Sequence, residues 1–211
     1  MNSSLKILNR FTTLPVLLDL LQRKKLTLLD PQSWEDKNDS EIILEYKKRK
    51  KLKNLFAICL NHGDETIHHW KTFSSGSSGC MIEFDAKKLF AIIDKIPKLR
   101  HGKVIYRRLR DLERTGTIIN VEDIPFTKRW PYRCEEEYRI IYESNNSART
   151  QLDIDIDLDV IRRIKINQQM PAVIYDTIKE HLRGLSGDPD SRIHRSTLFE
   201  NKRWINKFIT K

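Results

Sequence analysis

Alternating apolar and polar positions predict several short β-strands in this chain. The clearest run is E-Y-R-I-I-Y at residues 137–142, where charged residues alternate with aromatic and aliphatic ones. A strand with this pattern buries one face and leaves polar groups on the other. The other predicted strands span residues 5–11, 26–29, 55–60, 80–84, 104–109, 152–158, 164–167 and 193–198.

Helical spacing of apolar residues fills several of the intervals between these strands. Thr12 or Thr13 can begin a first helix with Pro15 in its first turn. Further helices are predicted from Ser40 to about residue 55, after Asp85, and after residue 170, with an amphipathic tail beyond residue 198. Because strands and helices do not alternate regularly, we expect an α+β fold: a mixed or largely antiparallel sheet core with flanking helices. The length predicts one domain over residues 1–211.

Charge and composition narrow the possible partners. The chain has 39 Lys and Arg against 29 Asp and Glu, a net charge of +10, which suits a nucleotide, a nucleic acid or another anion. No stretch has membrane-spanning length and the start lacks a secretory core, so we expect a cytoplasmic protein with no membrane partner. The three cysteines form no C-x-x-C pair and His62, His68 and His69 lack helical ligand spacing, so no metal is expected. Cys59 and Cys80 lie in apolar runs and are expected to be buried.

The alternation at residues 137–142, extended backward, places Glu135 and Glu137 on one strand face two residues apart. Like charges held this close raise one another's proton affinity. The simpler interpretation is a solvated strand face with Arg139 as a compensating charge. The alternative is a pair of carboxylates that a reaction uses.

Five blocks of the sequence follow one another in a recognisable order. They are Asn9-Arg10-Phe11-Thr12; Pro31, Trp34, Asp36 and Asp39; Trp70, Phe73, Gly79, Ile82, Phe84 and Asp85; Val104 and Tyr106; and Lys128, Trp130, Glu135, Glu137, Tyr138 and Arg139. Together these blocks resemble the bacterial domain-of-unknown-function family 2971, over most of the chain and most specifically in E-x-E-Y-R. The resemblance departs at Cys59-Leu60-Asn61 and at Trp70-Lys71-Thr72-Phe73, where the family has C-F-S and W-x-H-Y. The family has no settled activity, so the resemblance implies a fold rather than a function.

The order of these blocks also resembles ADP-ribosyltransferases, which place an Arg and a Ser or Thr on the first strand and an E-x-E glutamate on a late strand. This resemblance implies an ADP-ribosyltransferase-like, NAD-consuming enzyme of the kind found among bacterial toxins and phage-defence effectors. Glu137 would stabilise the oxocarbenium-like centre left by nicotinamide, and Glu135 would orient or deprotonate the acceptor. The residues it implies for NAD binding are Arg10, Thr12, Trp70, Phe73 and Arg139.

Two other functions remain open from the sequence. One is a nucleic-acid-binding module that uses the basic segments 47–53 and 107–110. The other is a metal-dependent nuclease in which carboxylates hold magnesium; the candidates are Glu83, Asp85, Glu135 and Glu137. Location distinguishes the hypotheses. Convergence of Arg10, Thr12, Trp70 and Glu137 in one cleft would favour the transferase, and a continuous basic stripe away from Glu137 would favour the binding module.

Overall fold

A computed structural model describes residues 5–74, 76–187 and 192–209, which contain eleven strands and seven helices. The strands are β1 (Ile7–Thr13), β2 (Lys25–Leu29), β3 (Asn54–Asn61), β4 (Gly79–Asp85), β5 (Leu99–Lys103), β6 (Ile105–Arg107), β7 (Thr127–Arg129), β8 (Glu137–Ser144), β9 (Gln151–Asp155), β10 (Ile161–Ile166) and β11 (Ile193–Arg195). The helices are α1 (Leu14–Arg23), α2 (Lys37–Arg49), α3 (Ile67–Phe73), α4 (Ala86–Ile93), α5 (Leu109–Thr115), α6 (Ala172–Ser186) and α7 (Lys202–Ile209).

Nine of these strands form one sheet, in which β11, β10, β4, β1 and β3 are successive neighbours. All pairs in this sheet are antiparallel except β10 with β11. Strands β6 and β7 form a separate parallel pair. The expected α+β fold with a largely antiparallel sheet and flanking helices is therefore confirmed. Among the described residues, no helix is both long enough and apolar enough to span a membrane.

The main sheet divides at β3. One edge of β3 pairs along its whole length with β8, from Asn54 opposite Ser144 to Asn61 opposite Glu137. The other edge pairs with β1 only at Asn61 and with β2 only at Ala57. Strands β1 and β2 therefore part from one another along residues 57–61 of β3, and we call this place the sheet fork.

The hydrophobic core lies on one face of the sheet. Even-numbered residues of β8, such as Tyr138 and Ile140, point to this face and pack with Leu8 of β1. Helix α1 covers the face with Leu17, Leu20 and Leu21, which alternate at helical spacing and are at most 1% exposed. The opposite face of the same strands carries polar residues, among them Glu137 and Arg139 of β8. Successive residues of β8 therefore point alternately to the core and to this polar face.

The helix boundaries agree in part with the sequence predictions. Thr13 occupies the N-cap of α1, although its side chain makes no capping hydrogen bond. Asp85 caps α4 as predicted, because its carboxylate accepts a hydrogen bond from the Lys88 N–H. The predicted start of α2 at Ser40 is wrong: Asp36 caps this helix, and its carboxylate accepts from the Asn38 N–H. The helix ends at Arg49, since Lys51 adopts a left-handed conformation with φ 52.

The histidine-containing segment between β3 and β4 contains the helix α3, for which the sequence pattern predicts no element. Thr66 begins it, and its hydroxyl accepts a hydrogen bond from the His69 N–H. Cys80 is buried as expected, whereas Cys59 is exposed. Cys59 pairs with Arg139 of β8 on one edge of β3, and at the sheet fork neither β1 nor β2 pairs with it on the other edge.

Candidate active site at the sheet fork

A row of polar side chains crosses four strands on the face opposite the core. The strand register places Glu83 opposite Asn9, Asn9 opposite Asn61, and Asn61 opposite Glu137. Residues directly opposite one another in antiparallel strands point to the same face. All four are at most 8% exposed, so each needs a partner of its own.

Glu137 is the first residue of β8, and its N–H donates a hydrogen bond to Tyr106 Oη at 2.9 Å. Glu135 does not continue the strand, so the predicted alternation through Glu135 is wrong. It ends a short 3₁₀ helix, Trp130–Glu135, and Glu136 then adopts a left-handed conformation with φ 41 that breaks the alternation. The two carboxylates nevertheless meet, because both reach the ammonium group of Lys128.

Lys128 lies at the centre of the carboxylates. Its Nζ is 2.7 Å from Glu135 Oε2, 3.4 Å from Glu137 Oε2, 3.5 Å from Asp39 Oδ2 and 3.8 Å from Asp36 Oδ2. The ammonium group therefore occupies the point where a metal ion bound by these side chains would have to lie. Within the described ranges, no group of three or more His, Cys, Asp or Glu side chains is arranged to hold a metal ion.

The magnesium-nuclease hypothesis also required Glu83 and Asp85 to lie beside Glu137. Glu83 is three strands away from Glu137 in the polar row, roughly 14 Å at the usual spacing between strands. Its carboxylate lies 3.6 Å from the guanidinium of Arg162 instead. The structure therefore separates the four carboxylates that this hypothesis joined.

Arg139 fixes the position of Glu137. Its Nε donates to Glu137 Oε1 at 2.7 Å, and its two terminal nitrogens donate to Asp39 at 2.7 and 3.2 Å. Its remaining contacts are with the Pro125 carbonyl at 2.8 Å and the Trp34 ring at 5.0 Å. Arg139 is 0% exposed and each of its three nitrogens donates to a protein acceptor, so the structure does not present it to a cofactor as the sequence predicts. It is a positioning residue for Glu137.

The two glutamates have pKa values shifted in opposite directions. Burial alone would raise the pKa of Glu137, but the charges of Arg139 and Lys128 outweigh it and lower that pKa to about 2. Burial raises the pKa of Glu135, and Lys128 offsets this only in part. Lys128 itself stays charged, because the carboxylates raise its pKa against the effect of burial. One carboxylate is thus held ionised and its neighbour binds a proton more readily than usual.

Asn9 and Asn61 carry acceptor oxygens without a partner among the described residues. Asn61 Nδ2 donates to the Glu135 carbonyl at 2.8 Å, and Asn9 Nδ2 donates to the Gly63 carbonyl at 3.3 Å. A carbonyl only accepts, so these contacts fix both amide orientations and leave each buried Oδ1 without a donor among the described residues. Sequence reasoning assigned neither asparagine a role, because only the strand register brings them together.

His69 supports this arrangement from α3. Its Nε2 lies 3.0 Å from Asn61 Nδ2, and its ring stacks on Phe11 with centroids 4.9 Å apart. The same Nε2 lies 3.1 Å from the Glu135 carbonyl, and burial lowers the pKa of His69, which favours the neutral ring. His69 therefore holds Asn61 in place and does not act as a metal ligand.

Arg10 and Thr12 leave β1 on the core face, opposite Ile82 and Cys80 of β4. The transferase hypothesis expected both residues to lie in one cleft with Glu137, but the structure places them on the opposite face of the sheet. Arg10 is half-buried and makes no hydrogen bond or ion pair with any residue in the described ranges. Burial lowers its pKa to about 10, and Cys59 is among the groups that act on its charge.

Cys59 connects Arg10 with Glu137. Its side chain is exposed, burial and then the Glu137 charge raise the pKa of its thiol, and Cys59 is also among the groups that act on the charge of Arg10. The sheet fork therefore lies within electrostatic range of both Arg10 and Glu137.

The two predicted stacking residues differ in their surroundings. Trp70 is 0% exposed, and its indole N–H donates to Glu65 Oε1 at 2.8 Å. The expectation that Trp70 stacks on a ligand is therefore wrong, because packing of α3 against β1 encloses the ring. Phe73, at the end of α3, is 43% exposed and its ring contacts those of His68 and His69.

A cleft of about 870 Å³ lies between Gln168 and the segment 195–203. It contains Glu200 but no pair of carboxylates, so its chemistry differs from that of the sheet fork. The sheet fork, with its paired glutamates, is the better candidate for a reaction.

No protein-family model matches the chain, and no curated protein matches it. Three solved structures of DarT from Thermus sp. 2.9 are similar in fold. The complex with carba-NAD+ is 9% identical with a TM-score of 0.42, and the alignment covers 92% of this chain and 96% of that chain. The NAD+ complex is 10% identical with a TM-score of 0.44, and the alignment covers 92% of this chain and 96% of that chain. The complex with ADP-ribosylated ssDNA is 13% identical with a TM-score of 0.45, and the alignment covers 91% of this chain and 94% of that chain. At TM-scores below 0.5, this similarity supports no conclusion about the ligand or reaction of this chain.

Proposed function

We propose that this protein is an ADP-ribosyltransferase-like enzyme that consumes NAD at the sheet fork. The observation that carries the proposal is the pair Glu135 and Glu137, bridged by Lys128 and shifted in opposite directions in pKa. Two adjacent carboxylates with separated pKa values are typical of sites that assign one to charge stabilisation and one to proton transfer.

The reaction would break the bond between the nicotinamide nitrogen and ribose C1′, and the electron pair would leave with nicotinamide. The ionised Glu137 carboxylate would stabilise the positive charge that develops on C1′. Arg139 and Lys128 hold this carboxylate before the reaction starts, so little reorganisation is needed. The acceptor would then attack C1′ and lose its proton to Glu135.

Other groups of the fork would bind the rest of NAD. The Arg10 guanidinium leaves β1 on the other face of the sheet, close enough to the fork for Cys59 to act on its charge, and it would bind the pyrophosphate from that side. Asn9 Oδ1 and Asn61 Oδ1 can accept hydrogen bonds from a ribose hydroxyl or a carboxamide N–H. The exposed ring of Phe73 can stack on nicotinamide.

The test is nicotinamide release from NAD by the purified protein, measured by chromatography with and without nucleic acid or cell extract as an acceptor. Arg10→Gln should raise KM for NAD roughly tenfold or more with a smaller change in kcat, because it removes a charge-assisted contact to the pyrophosphate. Lys25→Gln, which removes one charge at the partly exposed start of β2, is the matched control and should leave KM unchanged. Absence of nicotinamide release with every acceptor would refute the proposal.

A further inference from the structure

Four arginines surround Trp130 beside the site. Strands β6 and β7 pair in parallel and place Arg107 next to Arg129. Trp130 follows β7 directly and opens the 3₁₀ helix that ends at Glu135. The arginine–tryptophan surface is defined by Arg107, Arg108, Arg129, Trp130 and Arg133.

Trp130 orders two of these arginines. The guanidinium carbon of Arg108 lies 4.5 Å from the centroid of the Trp130 ring, and that of Arg133 lies 5.0 Å from it. Guanidinium groups stacked on an aromatic ring lose less freedom when they bind a phosphate than groups on a mobile side chain. The surface is therefore prearranged for phosphate groups.

The charges of this surface are free, unlike many of those on the basic run at 47–53. In the part of the chain that the structure describes, Arg107, Arg108, Arg129 and Arg133 form no ion pair, and the neighbouring Arg110 lies 3.8 Å from Asp111. In the basic run, the side chains at positions 47, 49 and 50 bind carboxylates. These ion pairs are Lys47 with Asp30, Arg49 with Glu45 and Lys50 with Glu122. A cation already paired with a carboxylate gains less from a phosphate.

We propose that the arginine–tryptophan surface binds single-stranded nucleic acid. Arginines with an interleaved aromatic ring are what a single strand requires, because phosphates pair with guanidinium groups and unpaired bases stack on rings. A strand bound at Trp130 would pass close to Glu135, since the two residues end one 3₁₀ helix and are roughly 10 Å apart along its axis. Binding here needs no NAD, so it can be tested apart from the transferase reaction.

The test is fluorescence anisotropy with a labelled single-stranded oligonucleotide, titrated at several salt concentrations. The triple variant Arg107→Gln, Arg129→Gln and Arg133→Gln should bind at least tenfold more weakly. For this variant, the slope of log Kd against the logarithm of the salt concentration should fall by about 2, because each lost phosphate contact removes about 0.7 from the slope. Trp130→Leu should weaken binding roughly tenfold, and Trp130→Phe should retain most of it.

The matched control removes three unpaired lysines from the other basic segment, Lys48→Gln, Lys51→Gln and Lys53→Gln. Both triple variants lower the net charge from +10 to +7, so a specific surface predicts a loss only in the arginine variant. Equal losses in both variants would reduce the binding to general charge attraction and overturn the proposal. Absence of binding by the wild-type protein at low salt, or a preference for duplex over single strand, would overturn it as well. Melting temperatures of all variants check that they are folded.

Discussion

Replacing Arg139 by Met should destabilise the protein by about 3–5 kcal/mol, because it removes from two buried carboxylates their closest cation and leaves only Lys128 beside them. The lost contacts are those of Arg139 with Glu137 at 2.7 Å and with Asp39 at 2.7 and 3.2 Å. The same substitution at Arg23, which pairs with Asp19 at 2.8 Å on the surface, is the control. That control should lose less than about 1 kcal/mol.

The measurement is urea unfolding at pH 7, followed by circular dichroism, with the midpoint compared at an unchanged slope. Adding Asp39→Asn and Glu137→Gln to Arg139→Met should recover part of the loss, because the stranded charges cause it. A loss below about 1 kcal/mol for Arg139→Met would refute the reasoning. If the triple variant were no more stable than Arg139→Met, the lost stability would come from packing rather than from the unpaired charges.

The pH dependence of stability provides a second check on this network. The folded pKa of Glu137, about 2, lies below the unfolded value near 4.3, so its contribution is present above pH 4.3 and is lost as the pH falls towards 2. The size of this contribution is about 3 kcal/mol. In Arg139→Met the loss on acidification should be smaller, since Lys128 alone remains beside the carboxylate.

Four further predictions concern individual side chains. Glu135→Gln should reduce transfer to an acceptor more than hydrolysis of NAD, and equal loss of both in a nicotinamide-release assay would give Glu135 a structural role. Trp34→Ala should lower the free energy of unfolding by roughly 3 kcal/mol, because the ring packs on the buried Arg139 side chain and on a small apolar cluster. Trp130→Ala should lower it by only about 1 kcal/mol, because that ring contacts two surface arginines, and comparable melting temperatures for the two would contradict this difference. In the native protein, iodoacetamide should label the exposed Cys134 before Cys59, whose thiol has a raised pKa, and peptide mass spectrometry measures the order.

The sequence predicted the elements whose signals are local. Apolar runs predict strands β3 and β4, alternation predicts β8, and Pro15 and Asp85 predict the starts of α1 and α4. The break between Glu135 and Glu137 was missed because Glu136 adopts a left-handed backbone without being Gly or Asn. Nothing in the local pattern distinguishes such a residue from one in a strand.

The candidate site was predicted by residue type but not by arrangement. Arg139 and Asp39 are 100 positions apart, so their ion pair has no local signature. Lys128 belonged to a recognised motif, yet its place among the carboxylates depends on the turn that follows it. Trp70 was taken for a ligand contact because burial of an aromatic ring depends on tertiary packing, which a motif does not reveal.

Nicotinamide release by wild type and by Glu137→Gln tests the central claim most directly. The account predicts release by the wild type and a loss on the order of a hundredfold or more in the variant, because the substitution keeps the shape and removes the charge. Glu83→Gln is the matched control: it makes the same change in the same polar row, three strands away, and should leave the rate unchanged. Full activity of a folded Glu137→Gln variant would contradict the account.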